Sequence, residues 1–123
     1  MRSNTLLLCS GVASAFYAIV LLALPTYFIQ VHGITTDENG LLFLRCTGAL
    51  CVAYVVLGLS GYKIKSEDAQ KLAIHANFGG WLAMLIVMLY AKFTLPFNSF
   101  IFVDIVFCAL FSILFASRSL TKL

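Results

Sequence analysis

Two charged residues lie inside long apolar stretches of the sequence, where a charge is costly. Arg45 closely follows the start of one stretch, and Asp104 closely follows the start of another. Charged residues at such positions usually pair with one another or mark a path for substrate or protons. Both stretches run in the same direction, so the two side chains share a depth. The sequence therefore predicts an intramembrane ion pair, either a structural link or a ligand or proton site. Snorkelling of Arg45 to the headgroups is a further alternative.

A second group of residues with chemical potential lies near the start of the third apolar stretch. His75, Asn77 and Trp81 are candidates for contact with a ligand or a pigment. An imidazole can ligate a haem or chlorophyll metal, shuttle a proton, or serve as a hydrogen-bonded structural residue. The other histidine, His32, falls on the opposite side of the predicted bundle, which argues against haem held by two histidines.

No pattern typical of an active site or a metal site occurs. The chain has no Ser/His/Asp set at one depth, no H-E-x-x-H motif and no glycine-rich phosphate loop. The cysteines form no C-x-x-C pair, and we interpret them as small buried apolar residues. The sequence thus predicts neither a catalytic residue nor a metal ligand, and it identifies no cofactor. The four cysteines are Cys9, Cys46, Cys51 and Cys108.

Most of the 123 residues belong to four apolar stretches, at about 5–30, 41–62, 72–95 and 99–116. A helix needs about 20 apolar residues to cross the hydrocarbon core of a bilayer. The composition agrees, with 62% hydrophobic residues and 11% charged residues. We therefore predict an all-α integral membrane four-helix bundle that forms a single domain over residues 1–123. The first stretch exceeds the length of a cleaved signal, so it is predicted to be retained.

The charges in the predicted connections indicate an orientation. In a four-span chain the two termini and the central loop lie on one side, and that side carries six basic residues against one on the other. The positive-inside rule then places both termini on the cytoplasmic-equivalent side of a bacterial inner membrane or an organelle membrane. The net charge of +3 is spread along the chain, so nucleic acid is not expected as a partner. The six basic residues are Arg2, Lys63, Lys65, Lys71, Arg118 and Lys122.

Small residues mark positions where helices can approach closely. Membrane helices associate through close packing and interhelical hydrogen bonds, which favours glycine and alanine at the contacts. We expect these faces to form internal contacts of the bundle, with contacts to other subunits as the alternative. The predicted packing residues are Gly11, Ala15, Gly48, Gly79 and Gly80.

The end of the first span and the start of the second form a distinct pattern. The first span ends at Pro25, a short loop follows, and the second span opens with the sequence Leu-Arg-Cys-Thr-Gly-Ala at positions 44–49. The fourth span then carries a polar residue of its own. This layout resembles that of small bacterial DoxX-like membrane proteins, and the resemblance covers the overall layout and about five residues, of which Arg45 and Gly48 match most clearly. It implies a four-helix bundle that serves as a subunit or helper of membrane redox systems, and it supplies no catalytic residue.

Three functions fit these patterns. The first is a non-catalytic accessory or structural subunit of a larger electron-transfer or photosynthetic membrane complex, with lipid and other membrane subunits as partners. It is favoured by the small size and by a phenylalanine-rich fourth span, whose rings could meet a partner, a pigment or lipid. The alternatives are a carrier or binding protein for an apolar molecule and a membrane enzyme acting on lipid or quinone. The phenylalanines are Phe97, Phe100, Phe102, Phe107, Phe111 and Phe115.

Overall fold

The computed structural model describes residues 3–120, and this part of the chain is helical, without strands. Four of its five helices are long and apolar enough to cross a membrane. The all-α fold class predicted from the sequence is therefore confirmed for the described residues. The helices are α1 (Ser3–Ala23), α2 (Pro25–Val31), α3 (Glu38–Gly61), α4 (Glu67–Thr94) and α5 (Ile101–Leu120).

The first predicted span is divided into two helices. Pro25 occupies the first turn of α2, and the preceding Leu24 has φ −128° and ψ 43°, outside the helical region. Proline lacks a backbone N–H and its ring clashes with the preceding turn, so it kinks or breaks a helix, and here the helix is broken. The single stretch 5–30 expected from hydropathy is thus the long α1 followed by the short α2, which redirects the chain.

The starts of α3 and α4 are set by capping side chains. Asp37 accepts a hydrogen bond from the Gly40 N–H at 2.9 Å, and Ser66 accepts one from the Ala69 N–H at 3.5 Å. Both residues have extended backbone angles, as N-caps do. The Ser66 cap begins α4 ahead of the apolar stretch predicted at residue 72, so the first turn of this helix is polar.

Helices α1 and α3 form a tight antiparallel pair. A Cβ atom at Gly11 would lie 3.0 Å from the backbone nitrogen of Leu59. A Cβ atom at Gly48 would lie 2.9 Å from the Cβ of Leu21, near the other end of the pair. Any larger side chain at either glycine would force the two backbones apart. The absence of a side chain is what allows this approach.

Helices α4 and α5 form a second antiparallel pair, held by aromatic side chains. The Trp81 and Phe111 rings stack with their centroids 4.6 Å apart, and Phe115 is fully buried. Phe107 packs edge-on against both rings of the stacked pair. The aromatic residues of α5 therefore serve the interior more than the sequence suggested, and Phe102 remains about half exposed.

The two helix pairs join so that α1 and α4 run parallel, and α3 and α5 run in the opposite direction. No Cα atom of α3 lies within 8 Å of one in α5. Ser3 and Leu120 lie at one end of the bundle, here called the terminal end. The opposite end, here called the α2 end, holds α2 and the connection between α4 and α5. The gap left between the pairs contains the candidate site.

Candidate functional site

A cavity of about 400 Å³ lies between the α1/α3 pair and the α4/α5 pair. Small-molecule sites typically measure about 300–1,000 Å³ and are mostly apolar with a few polar groups. All five helices contribute side chains to the wall of the cavity. Its apolar side chains include Leu21, Phe28, Leu44, Met84, Val87 and Met88, and its polar ones include Ser14, Tyr17, Thr47, Tyr54 and Trp81.

A buried cluster of ionisable side chains adjoins the cavity, and we call Tyr17, Asp104 and His32 the Tyr–Asp–His cluster. The Tyr17 hydroxyl donates to Asp104 Oδ1 at 2.6 Å, and His32 Nε2 lies 2.5 Å from Asp104 Oδ2. His32 and Asp104 are 2% and 5% exposed. Tyr17 also lines the cavity, so it connects the buried acid to the space between the helices.

The protonation of the cluster follows from its partners. His32 Nδ1 lies 2.8 Å from the Phe28 carbonyl oxygen, which accepts only, so Nδ1 carries a proton. One further proton lies between Nε2 and Asp104, and either position of it leaves the pair without net charge. Burial of the ring favours neutral histidine, but the hydrogen bonds to Asp104 and Phe28 and the charge of Asp104 outweigh it. Together they raise the pKa of His32 above its ordinary 6.5.

Aromatic rings enclose the imidazole of His32. Phe28, one turn earlier on α2, lies 4.2 Å from it between ring centroids. Phe97 and Phe100, from the connection between α4 and α5, meet it edge-on at 6.0 and 5.3 Å. These rings exclude water, which strengthens the pairing with Asp104 because the local dielectric is low.

The backbone around His32 is fastened to the same connection. The Asn98 N–H donates to the His32 carbonyl at 3.0 Å, and the Asn98 side chain donates to the Val31 carbonyl at 2.8 Å. Gly33 follows with φ 69°, a left-handed conformation that glycine adopts without strain. The turn after α2 thus holds His32 over the end of α5, where Asp104 lies.

A second buried polar cluster lies nearer the terminal end, and we call Ser10, Asn77 and Trp81 the Ser–Asn–Trp cluster. The Ser10 hydroxyl donates to Asn77 Oδ1 at 2.7 Å and accepts from Trp81 Nε1 at 2.8 Å. The Asn77 amide also donates to the Ala73 carbonyl at 2.9 Å. This neutral, hydrogen-bonded network joins α1 to α4.

The predicted pairing of Arg45 with Asp104 is wrong for the part of the chain that the structure describes. Asp104 is paired with His32 and bonded to Tyr17, whereas Arg45 is exposed and has no ion-pair partner among residues 3–120. The physical reason is lateral position, because Arg45 lies on α3 and Asp104 lies on α5, and no Cα atoms of these two helices lie within 8 Å of each other. Equal depth in a bundle does not make two side chains neighbours.

The three residues expected to share a ligand contact are divided between two environments. His75 is exposed, and its Nδ1 lies 2.7 Å from the Lys71 carbonyl oxygen on the same helix. Asn77 and Trp81 are buried in the Ser–Asn–Trp cluster, and Trp81 alone of the three lines the cavity. Within residues 3–120 no group of three or more His, Cys, Asp or Glu residues could hold a metal ion.

The predicted packing residues also differ in their surroundings. Gly11 and Gly48 lie at the contact between α1 and α3, and Gly80 lies beneath the Tyr54 ring. Ala15 is half-buried. Gly79 faces open space, with nothing within 4 Å of a Cβ placed there. Of the two adjacent glycines of α4, Gly80 therefore packs against another helix and Gly79 does not.

The prediction that the cysteines are buried holds for only one of them. Cys108 is buried, Cys51 is half-buried, and Cys9 and Cys46 are exposed. All four are free thiols. Cys51 and Cys108 line the cavity. An exposed apolar helix surface accepts a cysteine as readily as a core does, so position within a stretch does not indicate burial.

Sequence reasoning missed Tyr17, His32 and Ser10 as members of the buried clusters. In the predicted four-span topology His32 and Asp104 belong to the same end of the bundle, which is a usable signal for a pair. A histidine after a predicted span is normally a loop residue, so this signal alone does not predict burial. Only the redirection of the chain at Pro25 brings the imidazole inside the aromatic enclosure.

Comparison with other proteins yields a single family. No curated protein and no solved structure matches the chain. The family model described as "Domain of unknown function (DUF8292)" matches residues 1–121. Because the match covers nearly the whole sequence, the chain belongs to the DUF8292 family.

Proposed function

We propose that this protein is a non-catalytic four-span membrane protein that binds an apolar small molecule in the cavity between its helix pairs. The observation that carries the proposal is the cavity itself, about 400 Å³ with walls that are largely apolar. A close-packed bundle normally contains few voids larger than a water molecule. A space of this size in a small protein is therefore a candidate binding site.

The position of the cavity suits a ligand that arrives from the bilayer. Leu50 on α3 and Val87 on α4 both line the cavity, yet they are 69% and 57% exposed. Side chains that belong to both surfaces mark a lateral opening between these two helices. An apolar molecule dissolved in lipid could pass through it without crossing water.

The proposed function can be tested with the intrinsic fluorescence of the protein. Trp81 is the only tryptophan of the chain, and it lines the cavity. All-trans-retinol absorbs where tryptophan emits, so retinol bound in the cavity should quench Trp81 in a saturable way. The titration uses the full chain in lipid nanodiscs.

Two cysteine variants on α3 separate binding in the cavity from simple partition into lipid. Cys51 lines the cavity, whereas Cys46 is exposed and does not. Cys51→Phe fills the space and should abolish the saturable quenching, and Cys46→Phe should leave it unchanged. Unsaturable quenching that is equal in both variants would refute binding in the cavity.

We also propose that the four long helices span the membrane with both termini on the cytoplasmic-equivalent side. This orientation is supported by the charge count of the sequence, with six basic residues in the terminal segments and the central loop against one in the other connections. Single cysteines introduced at Lys65 and Asn39 of a cysteine-free chain should be labelled from opposite faces. Labelling of both from one face would contradict the orientation.

A subunit role in a larger electron-transfer or photosynthetic assembly is the second candidate. It is supported by the middle of α3, where the exposed Arg45 lies among exposed apolar side chains such as Phe43 and Leu50. An unpaired cation within a span is costly unless it snorkels or meets an acidic partner. Native electrophoresis in mild detergent tests this role. Migration with a larger assembly that Arg45→Leu disrupts would support it, and a monomer in both cases would refute it.

A further inference from the structure

We infer that the ligand of the cavity carries a hydroxyl group that donates a hydrogen bond to the Tyr17 oxygen. This inference rests on the proposed function and names the chemical class of the ligand, an apolar alcohol or phenol. It follows from an inventory of the hydrogen-bond donors and acceptors that the cavity wall presents.

The N–H and O–H groups of three wall residues are already used within the protein. Trp81 donates to Ser10 at 2.8 Å, and Tyr17 donates to Asp104 at 2.6 Å. Thr47 donates to the Phe43 carbonyl of its own helix at 3.0 Å. A hydroxyl group has one proton but two lone pairs. Tyr17 and Thr47 can therefore still accept a hydrogen bond, although neither has a proton to give.

Ser14 and Tyr54 also line the cavity, and within residues 3–120 neither hydroxyl has a hydrogen-bond partner. Each can donate or accept. The four hydroxyls together offer more acceptor sites than free donors. A ligand that brings its own donor can bond to any of the four hydroxyl oxygens, whereas a ligand with only acceptors is limited to the protons of Ser14 and Tyr54.

Tyr17 is the strongest of these acceptors. Its proton is directed at a carboxyl group paired with His32, and a phenol that donates to such a group becomes a better acceptor itself. An ether or ketone oxygen placed against the Tyr17 hydroxyl would have to take this proton and leave Asp104 Oδ1 without its donor. Leaving a buried acceptor unpaired is costly, so the cluster discriminates against ligands that only accept.

The test compares two probes that differ in the group on one oxygen atom, which is a hydrogen in the alcohol and a methyl group in the ether. All-trans-retinol and all-trans-retinyl methyl ether are titrated against the protein in nanodiscs, with Trp81 quenching as the readout. The alcohol should bind about tenfold more tightly than the ether, the effect of one buried hydrogen bond. Tyr17→Phe should remove this preference by weakening the alcohol alone. Tyr90→Phe, at an exposed tyrosine outside the cavity, is the matched control and should keep the preference.

The outcomes distinguish this inference from the proposed function. Equal, saturable binding of both probes to the unaltered protein would overturn the hydroxyl inference and leave the binding cavity intact. A preference that persists in Tyr17→Phe would overturn the assignment to Tyr17. If neither probe binds saturably, and Cys51→Phe behaves like Cys46→Phe, the proposed function itself fails. The comparison of the two probes uses the unaltered protein, so its result does not depend on whether a variant folds.

Discussion

The two buried polar clusters both hold helices of different pairs together, but they do so with different chemistry. The Ser–Asn–Trp cluster consists of neutral groups, and each of them is hydrogen-bonded. The Tyr–Asp–His cluster contains an acid and a base within 2.5 Å of each other. Both clusters tie α1 or its extension to a helix of the other pair. The difference is that a neutral cluster can only fix neighbours, whereas an ionisable one can also set the polarity of the adjoining cavity.

The contacts that support the two clusters also differ. Ser10 is followed by Gly11, where α1 approaches the backbone of α3, so close packing supports the neutral cluster. The ionisable cluster is supported by rings and by the turn at Gly33, and Tyr17 continues it into the cavity. The terminal end therefore depends on backbone proximity, and the α2 end depends on charge balance.

The largest expected effect is at the ionisable cluster. His32→Ala removes the partner of a carboxyl group that is 5% exposed. Breaking a buried pair in this way typically costs about 3–5 kcal/mol, because an unpaired charge is left behind. Denaturant unfolding of the detergent-solubilised protein measures it. A loss no greater than that of Ser10→Ala would break the distinction between the clusters.

The next effect concerns the backbone contact beside the neutral cluster. A Cβ atom at Gly58 would lie 2.6 Å from the Gly11 nitrogen and 2.7 Å from the Leu7 carbonyl oxygen. Gly58→Ala should therefore destabilise the bundle by about 1–3 kcal/mol, as overpacking usually does. Gly79→Ala is the control, since nothing lies within 4 Å of its Cβ position. Equal stability of the two variants would contradict the close approach of α1 and α3.

A smaller effect is expected within the neutral cluster. Ser10→Ala leaves the Trp81 N–H without an acceptor and Asn77 Oδ1 without its donor. Hydrogen bonds between membrane helices contribute on average about 0.6 kcal/mol each, so a loss of about 1 kcal/mol is expected. The same unfolding measurement applies, and a shift in Trp81 emission should accompany it. Unchanged emission would show that Trp81 does not depend on Ser10.

The smallest effect is the dependence of stability on pH. The pKa of His32 is raised in the folded protein, so its contribution is fully present below the unfolded value near 6.5. It is lost as the pH rises through the higher folded value. Unfolding at a series of pH values should show this decline. Asp104→Asn should flatten it, because an asparagine amide can donate to a neutral imidazole. A decline that persists in Asp104→Asn would assign it to another group.

Much of the architecture could be predicted from local features of the chain. The lengths of the apolar stretches identified the four long helices, and the first of them ends next to Pro25, where the layout of the sequence placed the end of the first span. The partner of Asp104 could not be predicted in this way. Depth along each helix can be counted from a sequence, but the angular position of a helix in the bundle cannot. The accessory role implied by the DoxX-like layout stays a prediction.

The sequence by itself determined that this is an all-helical protein with four segments apolar enough to cross a membrane, because segment length and composition are local properties. Only the tertiary structure decided that α1 packs on α3 and α4 on α5, that a cavity remains between them, and that His32 rather than Arg45 meets Asp104. The reason is that neighbours are chosen by glycine contacts and hydrogen bonds between residues far apart in the chain. Which helices pack together depends on how entire helix faces fit against one another, and the sequence of a single segment does not determine that.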